Sequence, residues 1–225
     1  HDYQEGVAQT DSNVLMIHNA YSSTGKSTLG TAQKITSSST VTVPMGASAQ
    51  FSVWVKTADL QFGNAQTAPS KNGLGAYINI AQSVGGNSLD VWSVKNINTA
   101  AVADNDTNGW LQYTFYLQGS SFADSTFTME LGLGQGGKGD YTEYVNGYAF
   151  FDDIECEIIT NKAYADATSA AGFANKLDFT DKGDDKVYNA TNAASEQFAI
   201  SFYGNEFKDD VYTPLQDSIS YKYTT

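Results

Sequence analysis

The amino-acid sequence predicts an all-β protein: an antiparallel β-sandwich followed by a C-terminal extension with about two further strands. Short strand-like runs recur between clusters of Gly, Asn, Ser and Asp, while helical periodicity is scarce. The 14 Tyr and 12 Phe suit pleated, half-buried faces. In chain order the runs are Val14–His18, Ser39–Val43, Gln50–Lys56, Gly75–Ile80, Asp90–Val94, Gln112–Leu117, Thr126–Leu131 and Tyr148–Ile158, each bounded by turn-forming residues. The last run opens with Phe151 and the pair Asp152–Asp153. It then alternates, with Ile154 and Cys156 on one side and Glu155 and Glu157 on the other.

Composition changes after Ile159. Residues 161–175 are rich in Ala and read as a short helix or a linker. Asp178–Lys186 reads as an acidic loop. Glu196–Tyr203 (Phe198, Ile200 and Phe202 alternating) and Asp217–Tyr223 (Ile219, Tyr221 and Tyr223 alternating) read as strands. The expected organisation is a sandwich over 1–160 and an extension over 161–225 packed on it. So few aliphatic residues in the extension would struggle to hold a core of their own.

All 12 basic residues are Lys, against 25 acids, for a net charge of −13. Such a chain cannot neutralise a phosphate backbone, so nucleic acid is excluded as a partner. Neutral sugars or cations such as Ca²⁺ fit this charge, as does the plainer reading that it keeps an extracellular protein in solution. Nothing approaches ~18 consecutive apolar residues, so direct membrane insertion through a helix is not expected. The start, His1-Asp-Tyr-Gln-Glu, is not a signal peptide and reads as a cut within a longer protein. The single cysteine, Cys156, falls on the apolar phase of its strand and is expected to be a buried, inert thiol.

Three segments resemble one family. Ala49-Gln-Phe-Ser-Val-Trp-Val-Lys-Thr57, Gly109-Trp-Leu-Gln-Tyr-Thr-Phe115 and Phe150-Phe-Asp-Asp-Ile-Glu-Cys156 are similar, in that order, to strands of galactose-binding-like β-sandwich modules. These are the jelly rolls of many bacterial carbohydrate-binding modules. The resemblance covers roughly Asn13 to Ile159. The family's usual Asn-Pro/Gly-Phe-Glu opening is missing, so the first strand is either absent or supplied by another segment. The resemblance also implies a structural Ca²⁺ near the sandwich edge, with Asp152 as one ligand and Asp153 beside it. The alternative is that backbone amides satisfy these acids.

Other motifs carry less. Ala20-Tyr-Ser-Ser-Thr-Gly-Lys-Ser27 has the spelling of a permissive phosphate loop, but Thr28-Leu-Gly-Thr-Ala-Gln shows no helical apolar face, so a nucleotide is rejected. Asp104-Asn-Asp-Thr-Asn-Gly109 starts like an EF-hand loop, yet Phe115 stands where a bidentate Glu belongs, and a turn is the better reading. The acidic loop could hold Ca²⁺ or be simply solvated.

Sugars are held by flat rings with polar groups nearby. Trp54 and Trp110 read as core. Trp92, on the same strand phase as Asp90, reads as a sugar platform, flanked by Tyr77 and Asn79 from the neighbouring strand; Tyr141 and Tyr144 could supply a second aromatic edge. A margin of the core would explain the same residues. His18 is the only internal histidine and no nucleophile elbow is present, so the protein is not expected to be an enzyme.

The expected function is therefore non-catalytic binding of polysaccharide or glycan. The module would belong to a bacterial secreted or cell-surface protein and act beside other domains of the same chain. A structural or adhesive spacer without a small ligand is the rival, decided by whether the four aromatics gather on one exposed face. A glycoside hydrolase fragment is the third reading.

Overall fold

A computed structural model describes residues 2–3, 14–19, 33–36, 40–63, 75–102, 108–134, 144–169, 180–182, 185–190 and 194–200. They form an all-β sandwich of two sheets with one short helix. The strands are β1 (Asp2–Tyr3), β2 (Leu15–Asn19), β3 (Gln33–Thr36), β4 (Val41–Val43), β5 (Ala47–Gly63), β6 (Ala76–Val84) and β7 (Asn87–Ile97). They continue with β8 (Leu111–Gln118), β9 (Ser125–Leu133), β10 (Tyr144–Thr160), β11 (Thr180–Lys182), β12 (Asp185–Asn189) and β13 (Glu196–Ile200); helix α1 (Asn161–Thr168) follows β10. The first sheet runs β1-β2-β10-β5-β8-β13. The second runs β11-β12-β7-β6-β9-β3, with β4 also pairing β9.

Period-two alternation builds the core. Ala49, Phe51, Val53 and Val55 of β5 face inward with Leu111, Tyr113, Phe115 and Leu117 of β8. Across the interior stand Ile78, Ile80, Trp92, Val94, Phe127 and Leu131 of the second sheet. Burial of these side chains drives the two sheets together. A reciprocal pair of bonds ties them at one end, the Thr57 amide donating to Thr99 Oγ1 and the Thr99 amide to Thr57 Oγ1.

The segment after α1 contributes β11 and β12 to one end of the second sheet and the edge strand β13 to the first. β12 pairs in parallel with β7, and β13 in parallel with β8. Tyr188 of β12 meets Phe198 of β13 edge-on, with ring centroids 5.1 Å apart, and Phe198 also stacks on Phe115. Asp178–Lys186 is thus not simply an acidic loop, since β11 and the start of β12 occupy part of it. Its charges hid these strands because an edge strand tolerates polar residues that a central one excludes. The short helix is the form taken by the start of the Ala-rich stretch. Its cap is Thr160, whose Oγ1 accepts from the Ala163 amide at 3.0 Å. Strand-like 217–223 and the phosphate-loop-like 20–27 lie outside the described residues.

Two irregularities set the phase of β10. Gly147 has φ +124° at a register shift between Asn146 and Tyr148; Asp153 has φ +44° at a second shift between Asp152 and Glu155. The second shift is why both Phe151 and Cys156 fall on the inward side, which a uniform alternation would not allow. Cys156 nonetheless departs from expectation. It is exposed, as are Ile154 and Ile158; among the described residues β2 pairs with β10 only over Gly147–Phe151. The thiol is still partly desolvated, which holds its pKa above the ordinary value. It is therefore a poor nucleophile at neutral pH.

Candidate functional site

The structure separates the aromatic residues singled out in sequence. Trp92 pairs with Ile80 and lies in the core, 4% exposed, because its strand phase is the inward one. It cannot be a platform. Tyr77 and Asn79 sit on the opposite phase, on the outer face of the second sheet, and Tyr77 is completely buried. Asp90 and Tyr144 lie in β7 and β10, but their side chains fall outside the described residues, as does all of Tyr141.

Tyr77 and Asn79 are engaged with Glu130. Tyr77 Oη and Asn79 Nδ2 each donate to Glu130 Oε1 at 3.1 Å, while Lys34 Nζ and Thr36 Oγ1 donate to Oε2 at 2.6 and 3.2 Å. The Tyr77 ring lies against Gly132, where an added Cβ would stand 2.2 Å from it. This network staples β3, β6 and β9 through the Glu130 carboxylate.

Burial, then the charge of Glu130, then their hydrogen bond push the Tyr77 phenol far above its ordinary pKa. Burial and the charges of Glu196 and Tyr188 do the same for Tyr113. Both keep their protons in the folded state where an unfolded chain would lose them near pH ~10. Their contribution to stability is thus intact below pH ~10 and is lost as pH rises further. The expected slope is about 1.4 kcal/mol per pH unit for each tyrosine. Urea unfolding at pH 9, 10 and 11 should show it, and the double variant Tyr77→Phe/Tyr113→Phe should flatten it.

Asp152 is 7% exposed, and its Oδ1 accepts from the Asp153 amide at 2.9 Å, so the backbone satisfies one of its oxygens. Among the described residues, no three His, Cys, Asp or Glu side chains are grouped to hold a metal ion.

Among the described residues, a cluster of partly accessible aromatic rings lies on the outer face of the first sheet. The register aligns three rows across it. His18, Tyr148 and Ala58 form the first, Met16, Phe150 and Lys56 the second, and Asp152, Trp54 and Gln112 the third. His18 and Tyr148 stack at 4.3 Å with planes 8° apart, and Tyr148 and Phe150 lie 6.1 Å apart. Phe150, Trp110 and Val14 are buried at the base of this cluster, against partly buried Met16, Trp54, Ala58 and Tyr148. His18 is exposed; Tyr148, Trp54, Lys56 and Gln112 are half-buried. The small Ala58 stands beside Tyr148 across the register.

Trp110 is buried, as expected, in a second core cluster, whereas Trp54 is only half-buried and faces outward against it. The signal was available in Gln50–Lys56. Phe51, Val53 and Val55 share one phase, so Trp54 must share the other with Ser52 and Lys56.

No protein-family model matches this chain, and no curated protein matches it.

Proposed function

We propose that this chain is a non-catalytic carbohydrate-binding module that takes neutral polysaccharide or glycan on the outer face of its first sheet, around His18, Tyr148 and Trp54. One observation carries the reading: half-buried rings supported from below by buried Phe150 and Trp110, with Lys56 and Gln112 beside them. Flat rings gain from burying the C–H faces of a sugar, and the polar neighbours can bond its hydroxyls. A net charge of −13 suits an uncharged ligand better than an anionic one. In this reading the sandwich is a galactose-binding-like jelly roll of a bacterial secreted or cell-surface protein, retaining attached domains near their polymer by many weak contacts. A Ca²⁺ ion at Asp152 and Asp153 belongs to it only if further oxygens come from backbone or from residues outside those described.

Native affinity electrophoresis against amylopectin, xylan, β-glucan, mannan and mucin tests the proposal. Retardation is expected in at least one gel, with at least tenfold weaker binding for Tyr148→Ala and Trp54→Ala, since an aromatic–sugar contact of about 1.4 kcal/mol is a factor of ten. Repeating the gels with a chelator decides whether calcium is part of the site. Burial of Trp92 and Tyr77 on different faces favours a second reading, a structural or adhesive spacer with no small ligand. Absence of retardation in every gel would select it.

A further inference from the structure

The outer face of the first sheet continues past Trp54 towards β13. Trp54 is level with Gln112, and the Gln112 amide donates to Ser195 Oγ at 2.8 Å. One row further along, Ser52, Thr114 and Gln197 are level across β5, β8 and β13. Tyr113, Phe115, Glu196 and Phe198 are buried on the inner phase, so Gln112, Thr114 and Gln197 share the outer phase with Trp54. Ser52 and Thr114 are buried, whereas Ser195 and Gln197 are exposed. Helix α1 bounds the face on the far side. Its Tyr164 is buried with Ala199 against Tyr116 and Ile159, and Ser48 Oγ donates to Asn161 Oδ1 at 2.7 Å. Small polar side chains therefore lie between Trp54 and the helix.

We propose that this face takes an internal stretch of a linear, neutral polysaccharide several sugar units long, and that β13 holds its far end through Ser195 and Gln197. The inference rests on the carbohydrate reading above. It adds the length of the ligand and a strand that lies outside the segments similar to known modules. Tyr148 is level with Ala58 and Gln197 with Ser52, six residues away on β5. Three strand spacings also separate β10 from β13, so the two positions stand about 25 Å apart. A single sugar cannot touch both. A linear chain can, with rings against Tyr148 and Trp54 and hydroxyls against Gln112, Ser195 and Gln197. The Gln197 amide offers two donors and an acceptor, and the Ser195 hydroxyl can still donate, which matches groups that both give and take hydrogen bonds. Glu155 is exposed and level with Ser52, so an anionic chain on the same row would meet like charge.

Xylo-, cello-, malto- and manno-oligosaccharides of two and six units, titrated calorimetrically into the full chain, test the proposal. Gln197→Ala is the variant, because its side chain is exposed on an edge strand; thermal unfolding verifies that the variant is folded. In the series that binds, the hexamer is expected to bind at least tenfold more tightly than the dimer. That exceeds the few-fold statistical gain of a longer chain. Gln197→Ala should weaken hexamer binding by about two- to tenfold, the range for one lost hydrogen bond, and leave the dimer unchanged. Equal affinity for dimer and hexamer, or a hexamer indifferent to Gln197→Ala, overturns this proposal and leaves the carbohydrate reading standing. So does retardation by a polysaccharide whose hexamer does not bind. Absence of binding in every series and of retardation in every gel overturns both.

Discussion

Phe198→Ala is expected to destabilise the protein by about 3–5 kcal/mol, the range for truncating a fully buried Phe. Phe198 is fully buried, stacks on Phe115 at 5.1 Å and Tyr113 at 6.3 Å, and takes the edge of Tyr188. Its loss opens a cavity at the point where β13 of the first sheet meets β12 of the second. Against a total stability of about 5–15 kcal/mol, that is enough to unfold a marginal domain. Denaturant unfolding, with the midpoint and slope both fitted, provides the measurement. A cost below ~1 kcal/mol would mean that β13 is dispensable and that residues 1–160 hold their core alone. Truncation after Thr168 makes the same comparison without a cavity, and it should be at least as damaging.

Gly147→Ala should be the second severe change, costing about 3 kcal/mol or more. Gly147 has φ +124°, and an added Cβ would stand 2.7 Å from the Asp59 carbonyl oxygen and 2.8 Å from that of Ala58. Both neighbours are backbone, so neither can turn away. The strained conformation alone costs about 1–3 kcal/mol. Gly46→Ala is the control: its φ is +81° but nothing lies within 4 Å of the new methyl, so only the left-handed backbone penalty of about 1–2 kcal/mol applies. Gly147 also precedes Tyr148 at a register shift. Slippage there would turn Tyr148 from the outer face to the core face and abolish its stack on His18. If Gly147→Ala folds at all, the proposed sugar binding should fall with it. Equal stability losses for the two glycine variants would show that backbone crowding at Gly147 is not what matters.

Much of the architecture was legible because it rests on period two. The runs at Gln50–Lys56, Gln112–Leu117 and Thr126–Leu131 all lie within strands that contribute to the core. β3 and β12 were not legible. Gln33–Thr36 and Asp185–Asn189 are short and polar, and they exist because longer strands offer an edge to pair with. The placement of the aromatic residues was only partly legible. Val91 and Val94 leave the phase of Trp92 ambiguous, whereas the alternation of Phe51, Val53 and Val55 puts Trp54 on the outer phase.

Sequence alone determined that this chain is all-β, strongly acidic and without arginine, because alternation, turn residues and charge are properties of local composition. Which face each aromatic occupies was decided only in three dimensions. Register shifts at Gly147 and Asp153 re-phase β10, and an opposing sheet buries one side of each strand while leaving the other to solvent. The same is true of the edge beyond Phe151: whether an apolar residue on a strand is covered depends on which strands lie beside it and across from it, and no local pattern contains that information.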